Sequence, residues 1–106
     1  MKHATQTQHL SPADLTSLMQ AHKITLVDVR ERAEHDAERI EGAVLYPLST
    51  FDPAKLPAGE VVFHCGSGKR SLSAIDRCVA AGAPHASHLR GGIAAWKQAG
   101  LPTKRG

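Results

Sequence analysis

The chain has 106 residues, a hydrophobic content of 42% and a net charge of +3. That is enough for one domain with its own core, without staples. The basic residues are scattered and aromatics make up only 4% of the chain, which offers neither an electrostatic track nor a stacking surface for nucleic acid. Met1 to His9 holds no apolar run of the signal-peptide kind, and no stretch approaches the roughly 18 apolar residues of a membrane span. The expectation is a cytoplasmic protein with no nucleic-acid or membrane partner. Its expected parts are a flexible N-terminal segment over 1–9, a domain over 10–102 and a C-terminal tail over 103–106.

Leu10-Ser11-Pro12-Ala13-Asp14-Leu15 predicts a helix start, with Ser11 as N-cap, Pro12 in the first helical position and Asp14 three residues past the cap. Leu10 and Leu15 have the spacing of a hydrophobic staple. Ile24 to Val29 is a β-rich run with Asp28 near its end. Arg30 to Ile40 is dense in charge, with Ala33, Ala37 and Ile40 at helical spacing. It predicts a mostly exposed helix whose Glu31, Arg32, Glu34, Asp36, Glu38 and Arg39 form a solvated face. Val44-Leu45-Tyr46 reads as a strand ended by Pro47, and Asp52-Pro53 and Leu56-Pro57-Ala58-Gly59 mark a loop-rich crossing.

Val61-Val62-Phe63 is a further strand, and it runs directly into His64-Cys65-Gly66-Ser67-Gly68-Lys69-Arg70-Ser71. Leu72-Ser73-Ala74-Ile75 then reads as helix, ending at Gly82 as a left-handed cap. A strand thus delivers one cysteine onto a short loop. Gly66 and Gly68 allow a tight bend, and the small residues leave amide N–H groups free to point inward. Those amides, the helix N-terminus and the cations of Lys69 and Arg70 predict an anion cradle with a thiol at its mouth. A free cysteine has a pKa of about 8.5, and such surroundings lower it to roughly 3.5–7.5. Reaching about 7 takes roughly 2 kcal/mol at about 1.4 kcal/mol per unit, which a single well-placed helix terminus can supply. Cys65 is therefore read as a nucleophile.

Cys78 lies about 12 Å along the helix from its start, at 1.5 Å per residue, whereas a disulfide wants Cα atoms within roughly 7 Å. It is read as a core residue beside Ala74, Ile75 and Val79. No Cys-x-x-Cys pair is present and no histidine pair has a nearby partner to complete a metal set, so no metal or cofactor is expected. His85 and His88 are read as solvated. Side-chain alternation turns His64 away from Cys65. Ala86 to Leu89 reads as a last short strand, and Gly91-Gly92 opens a helix carrying Ile93, Ala95 and Trp96, stopped by Gly100 and Pro102.

Alternating strands and helices predict an α/β fold with a parallel sheet and helices on both faces. Ligands in such folds lie outside the carboxyl ends of the strands, where Asp28, Cys65 and the Arg90-Gly91-Gly92 turn can converge. Three chemistries compete for the glycine loop. A phosphate-binding P-loop needs glycine where Phe63 stands and Ser or Thr where Arg70 stands. A cysteine phosphatase places one residue more between nucleophile and arginine than the four here, Gly66 to Lys69. Sulfur transfer through a cysteine persulfide fits the shorter loop.

Three motifs in order carry a resemblance: Asp28-Val29-Arg30-Glu31 with Glu34 and Gly42-Ala43, then Cys65 to Ser71, then Leu89-Arg90-Gly91-Gly92-Ile93 with Trp96. Together they resemble a single-domain rhodanese over Leu10 to Pro102. The resemblance implies a five-stranded, mostly parallel sheet with the cysteine strand central, flanked by the Asp28 and Leu89 strands. It also implies thiosulfate sulfurtransferase activity, in which Cys65 takes a sulfur atom from a small anionic donor and passes it to cyanide, a thiol or another protein. Gly66, Ser67, Gly68, Lys69, Arg70 and Ser71 would bind the donor and the persulfide, with Asp28 and Arg30 supporting the loop from beneath. Many members carry arginine where this chain has Gly66. The competing non-catalytic reading, a binding or regulatory module on the same fold, conflicts with the retained Cys65.

Overall fold

The computed structural model describes residues 6–106. In chain order the elements are β1 (Gln8–Leu10), α1 (Pro12–Gln20), β2 (Thr25–Asp28), α2 (Arg32–Ala37), β3 (Glu38–Arg39), β4 (Val44–Leu45), β5 (Val61–His64), α3 (Lys69–Ala80), β6 (Ser87–Leu89), α4 (Gly92–Gln98) and β7 (Lys104–Arg105). Five of the strands form one sheet in the order β1-β6-β5-β2-β4, and every pairing in it is parallel. The cysteine-bearing β5 is central between β2 and β6, as expected.

Period-two alternation divides the core. Leu26 and Val62 point to one face, where they pack with Leu89, Leu15 of α1, Ile40, and Ile93 and Trp96 of α4. Val27, Val61 and Phe63 point to the other, against Ala74, Ile75 and Cys78 of α3. Helices cover both faces, so the strands read as continuous apolar runs.

The start of α1 is as its sequence predicts. Ser11 Oγ accepts from the Asp14 N–H at 3.0 Å while Asp14 Oδ2 accepts from the Ser11 N–H at 3.2 Å. Four expectations give way elsewhere. Gln8 and His9, assigned to the flexible 1–9 segment, form strand β1 on β6; the first five residues of that segment lie outside the described part. Lys104 and Arg105, assigned to the tail, pair antiparallel with Arg39 and Glu38 in β7, and Glu38 accepts from Lys97 Nζ at 2.8 Å and from Thr103 Oγ1. The helix expected to reach Ile40 stops at Ala37, because Ile40 is drawn into the α1/α4 core by an extended backbone at Glu38. Val79 is 40% exposed rather than beside Cys78 in the core, since the apolar stripe of α3 is narrower than the sequence suggests.

Candidate active site

Cys65 stands one residue beyond β5, at the carboxyl edge of the sheet, and is only 1% exposed. The chain turns through Gly66, Ser67 and Gly68 and enters α3 at Lys69. The turn closes on Gly68, whose φ of 113° is open to glycine at little cost; Gly66 needs no such conformation. This turn aims the Gly68 N–H at Cys65 Sγ, 3.0 Å away. Burial pushes the thiol pKa up, but hydrogen bonds from the Ser71 and Gly68 amides, the Ser71 hydroxyl and the Ser67 amide outweigh it and leave the pKa below its ordinary value. Ser67, Gly68 and Ser71 thus gather around Cys65, with Gly66 in the same turn.

The two cations behave differently from expectation. Lys69 is exposed to solvent. Arg70 folds back over Gly66 and makes a bidentate pair with Glu34, Nη1 to Oε1 at 2.7 Å and Nη2 to Oε2 at 2.9 Å. A β-carbon at position 66 would stand 3.2 Å from Arg70 Nη2, so a bare Gly66 makes room for the crossing. The leading contributions that lower the Cys65 pKa are amides and a hydroxyl. Glu34, expected on a solvated face, instead latches α2 to the cysteine loop. Its bond with Arg70 holds its carboxyl at about 2, against an ordinary 4.5.

This depressed pKa has a signed consequence. The pair contributes stability in full above the ordinary carboxyl range and loses it as the pH falls from 4.5 toward 2. Both side chains are more than a third exposed, so the contribution is about 1 kcal/mol or less at ordinary salt. Denaturant midpoints of wild type and Glu34→Gln should differ near neutrality and converge as the pH approaches about 2.

Asp28 closes the neighbouring strand β2 and Arg30 lies two residues past it, both in a buried polar cluster behind the loop. Asp28 accepts from Arg30 Nε at 3.0 Å and Nη2 at 2.8 Å, and its Oδ2 lies 2.9 Å from His35 Nδ1. Arg30 Nη2 also donates to the Glu38 carbonyl at 2.6 Å. His64, paired in register with Asp28, turns away from the thiol as alternation predicts. Its Nδ1 is 3.2 Å from the Cys65 carbonyl oxygen, and its Nε2 has no hydrogen-bond partner among the described residues. Burial lowers the His64 pKa and keeps the ring neutral. Burial raises the Asp28 pKa, and Arg30, His64 and His35 more than offset it, so Asp28 is ionised. Through His64 the cluster reaches the Cys65 backbone, not its sulfur.

Two further supports lie outside the predicted site residues. The first turn of α4 holds the cysteine loop from below, with the Ile93 N–H donating to the Cys65 carbonyl at 2.9 Å and the Ala94 N–H to the Gly66 carbonyl at 3.2 Å. The Gly91-Gly92 pair in the sequence is the signal for this contact. The second is His88, read as solvated and in fact 2% exposed. Its Nδ1 is 2.7 Å from Ser71 Oγ and its Nε2 is 2.8 Å from His9 Nδ1. A cavity of about 430 Å³ between β1, β5 and α1, lined by Leu10, Leu18, Ile24 and Val62 among others, lies apart from this chemistry.

A parallel sheet with a cysteine held in a ring of amides beyond its central strand defines a protein of the rhodanese class. The sequence matches the Rhodanese-like domain over residues 11–99, and the chain belongs to that family. It is 43% identical to an uncharacterized protein of Synechocystis, slr1261, over 97% of this chain and 60% of that protein. It is 36% identical to a probable adenylyltransferase/sulfurtransferase, MoeZ, of Mycobacterium tuberculosis, over 88% of this chain and 25% of that one. The chain thus spans less than two thirds of either relative. Among solved structures, the rhodanese-like domain of Alr3790 from Anabaena superposes with a TM-score of 0.81 at 25% identity, over 94% of this chain and 80% of that one. A thiosulfate sulfurtransferase from Pseudomonas aeruginosa superposes with a TM-score of 0.78 at 25% identity, over 94% of this chain and 20% of that one. Among the described residues no helix is long and apolar enough to cross a membrane.

Proposed function

We propose that the protein moves a sulfane sulfur from a small anionic donor such as thiosulfate to a thiophilic acceptor, carrying it as a persulfide on Cys65. The observation that supports this most is the Gly68 N–H aimed at Cys65 Sγ at 3.0 Å, in a turn whose Ser67 and Ser71 amides also favour the thiolate. In the first step the Cys65 thiolate attacks the outer sulfur of the donor. A sulfur–sulfur bond forms to Cys65, the donor's own sulfur–sulfur bond breaks, and sulfite leaves with the electron pair. In the second step cyanide, a thiol or a protein nucleophile attacks the terminal sulfur, and the Cys65 thiolate leaves. The charge shifts by one atom at each step, and the preorganised amides stabilise it in either position, as an oxyanion hole does.

A thiol 1% exposed favours a donor that presents a slim terminal sulfur over a bulky phosphate ester. Lys69, exposed at the head of α3, attracts the donor's negative charge, while Arg70 is held by Glu34 and serves as the loop's latch. Asp28 and Arg30 support the loop through the His64 cluster. Two free thiols suit a reducing compartment such as the cytoplasm. The test is intact mass after incubation with thiosulfate, and the expected product is heavier by one sulfur atom. No gain with thiosulfate, with an organic persulfide or with a mercaptoketone acid would sink the reading.

A further inference from the structure

Behind the ring of amides, a line of hydrogen-bonding groups runs from the buried thiol to the edge of the sheet. Cys65 Sγ is 3.7 Å from Ser71 Oγ, Ser71 Oγ is 2.7 Å from His88 Nδ1, and His88 Nε2 is 2.8 Å from His9 Nδ1. The registers His9↔His88 and Phe63↔His88 set β1, β6 and β5 side by side, with Cys65 just past β5 and Ser71 reaching in from α3. Cys65, Ser71 and His88 are buried, whereas His9 on edge strand β1 is exposed. We propose that His88 and His9 are positioning residues that set the direction of the Ser71 hydroxyl, and through it the balance between thiol and thiolate at Cys65. The proposal rests on the reading of Cys65 as the nucleophile.

The line has two consistent settings. In one, His88 carries its proton on Nε2 and donates to His9 Nδ1. Its Nδ1 is then a bare acceptor for the Ser71 hydroxyl, and the Cys65 S–H rests on Ser71 Oγ. In the other, His9 is an imidazolium whose Nδ1–H donates to His88 Nε2. His88 then carries its proton on Nδ1 and donates to Ser71 Oγ, so the Ser71 hydrogen turns toward the Cys65 thiolate. The settings differ by one proton moved from sulfur to His9 with every bond in the line reversed, and nothing is oxidised or reduced. The Gly68 carbonyl, 3.0 Å from Ser71 Oγ, is the alternative acceptor for that hydrogen. The imidazole of a histidine suits such a line because each of its nitrogens can be donor or acceptor.

The charges around the line are compatible with it. Burial, then His9 and Arg90, hold the His88 pKa down, so His88 stays neutral and acts by choice of tautomer. On the α3 side, Arg70 feels the Cys65 charge only after its stronger pairing with Glu34, and Lys69 points to solvent. The solvent-facing proton site is His9.

The coupling is read by ultraviolet thiolate absorbance of the full reduced chain across pH, with Cys65→Ser as the blank that removes the Cys78 contribution. Wild type should titrate more shallowly than a one-proton curve, because the line through Ser71, His88 and His9 couples a second proton to that of the thiol. His9→Ala, at an exposed position, should give a one-proton curve with about 3- to 10-fold less thiolate near pH ~6, the range that one hydrogen bond to a charged group supports. His88→Gln should give a shift at least as large. Folded His9→Ala with the wild-type curve, in position and in slope, would overturn the proposal. Sulfur uptake by wild type is read separately by mass. Coupled titration without uptake would leave this inference standing and remove the transfer function, and uptake with an uncoupled titration would do the reverse.

Discussion

Cys65→Ser should take up no sulfur from thiosulfate at all, while Cys78→Ser should still gain one sulfur atom. The two thiols are both buried, so exposure does not separate them; their hydrogen bonds do. Cys65 Sγ receives the amide of Gly68 at 3.0 Å and sits among those of Ser67 and Ser71. Cys78 packs among Val27, Val61, Phe63, Ala74 and Ile75, and burial pushes its pKa up with nothing to counter it. One is prepared to hold a charge and the other is not. Serine at 78 would place a hydroxyl among apolar side chains and cost about 1–3 kcal/mol of stability, visible as a lower denaturant midpoint in protein that still loads sulfur. Parallel intact-mass spectra decide it. Loss of the added sulfur in both variants would mean that Cys78 takes part in the transfer.

Gly92→Ala should be the most damaging single methyl in the chain. Gly92 has a φ of 62°, and a β-carbon there would come within 2.6 Å of the Gly66 carbonyl carbon and oxygen. The left-handed backbone costs a non-glycine residue roughly 1–2 kcal/mol, and overpacking against fixed backbone adds about 1–3 kcal/mol. The sum is a large part of the ~5–15 kcal/mol that stabilises a domain. Relief requires α4 to back away from the loop, which lengthens the Ile93-to-Cys65 and Ala94-to-Gly66 hydrogen bonds and loosens the amide ring. Gly100→Ala separates the two contributions, since Gly100 has a φ of 78° with nothing within 4 Å of its β-carbon. Equal denaturant midpoints for the two variants would show that the close approach of α4 contributes nothing.

The local devices were legible because they are made by residues near one another in the chain. Ser11 and Asp14 box the start of α1, Gly82 closes α3 with a φ of 75°, and Val61 to Ser71 encodes strand, turn and helix in one stretch. The β-rich runs at 24–29, 61–63 and 86–89 mark the inner strands and put Cys65 at the carboxyl edge of one of them; that this strand is the central one is what the rhodanese resemblance implies and the sheet order bears out. Strand β1 leaves no signal in the sequence, because a three-residue edge strand has no apolar run of its own. It exists by pairing with β6.

The chain's own order of residues determined where Cys65 stands, the tight turn behind it and the layered α/β frame, since each depends on backbone geometry within about a dozen residues. Tertiary structure alone decided which partners the charged and ring side chains found. Glu34 and Arg70 are 36 residues apart, Ser71 and His88 are 17 apart, and His9 and His88 are 79 apart. No periodicity records such pairs, because a carboxylate or an imidazole reads the same on a solvated face as in a buried bond. They meet only once the parallel sheet has brought β1, β6 and β5 side by side and has set the first turn of α2 against the head of α3.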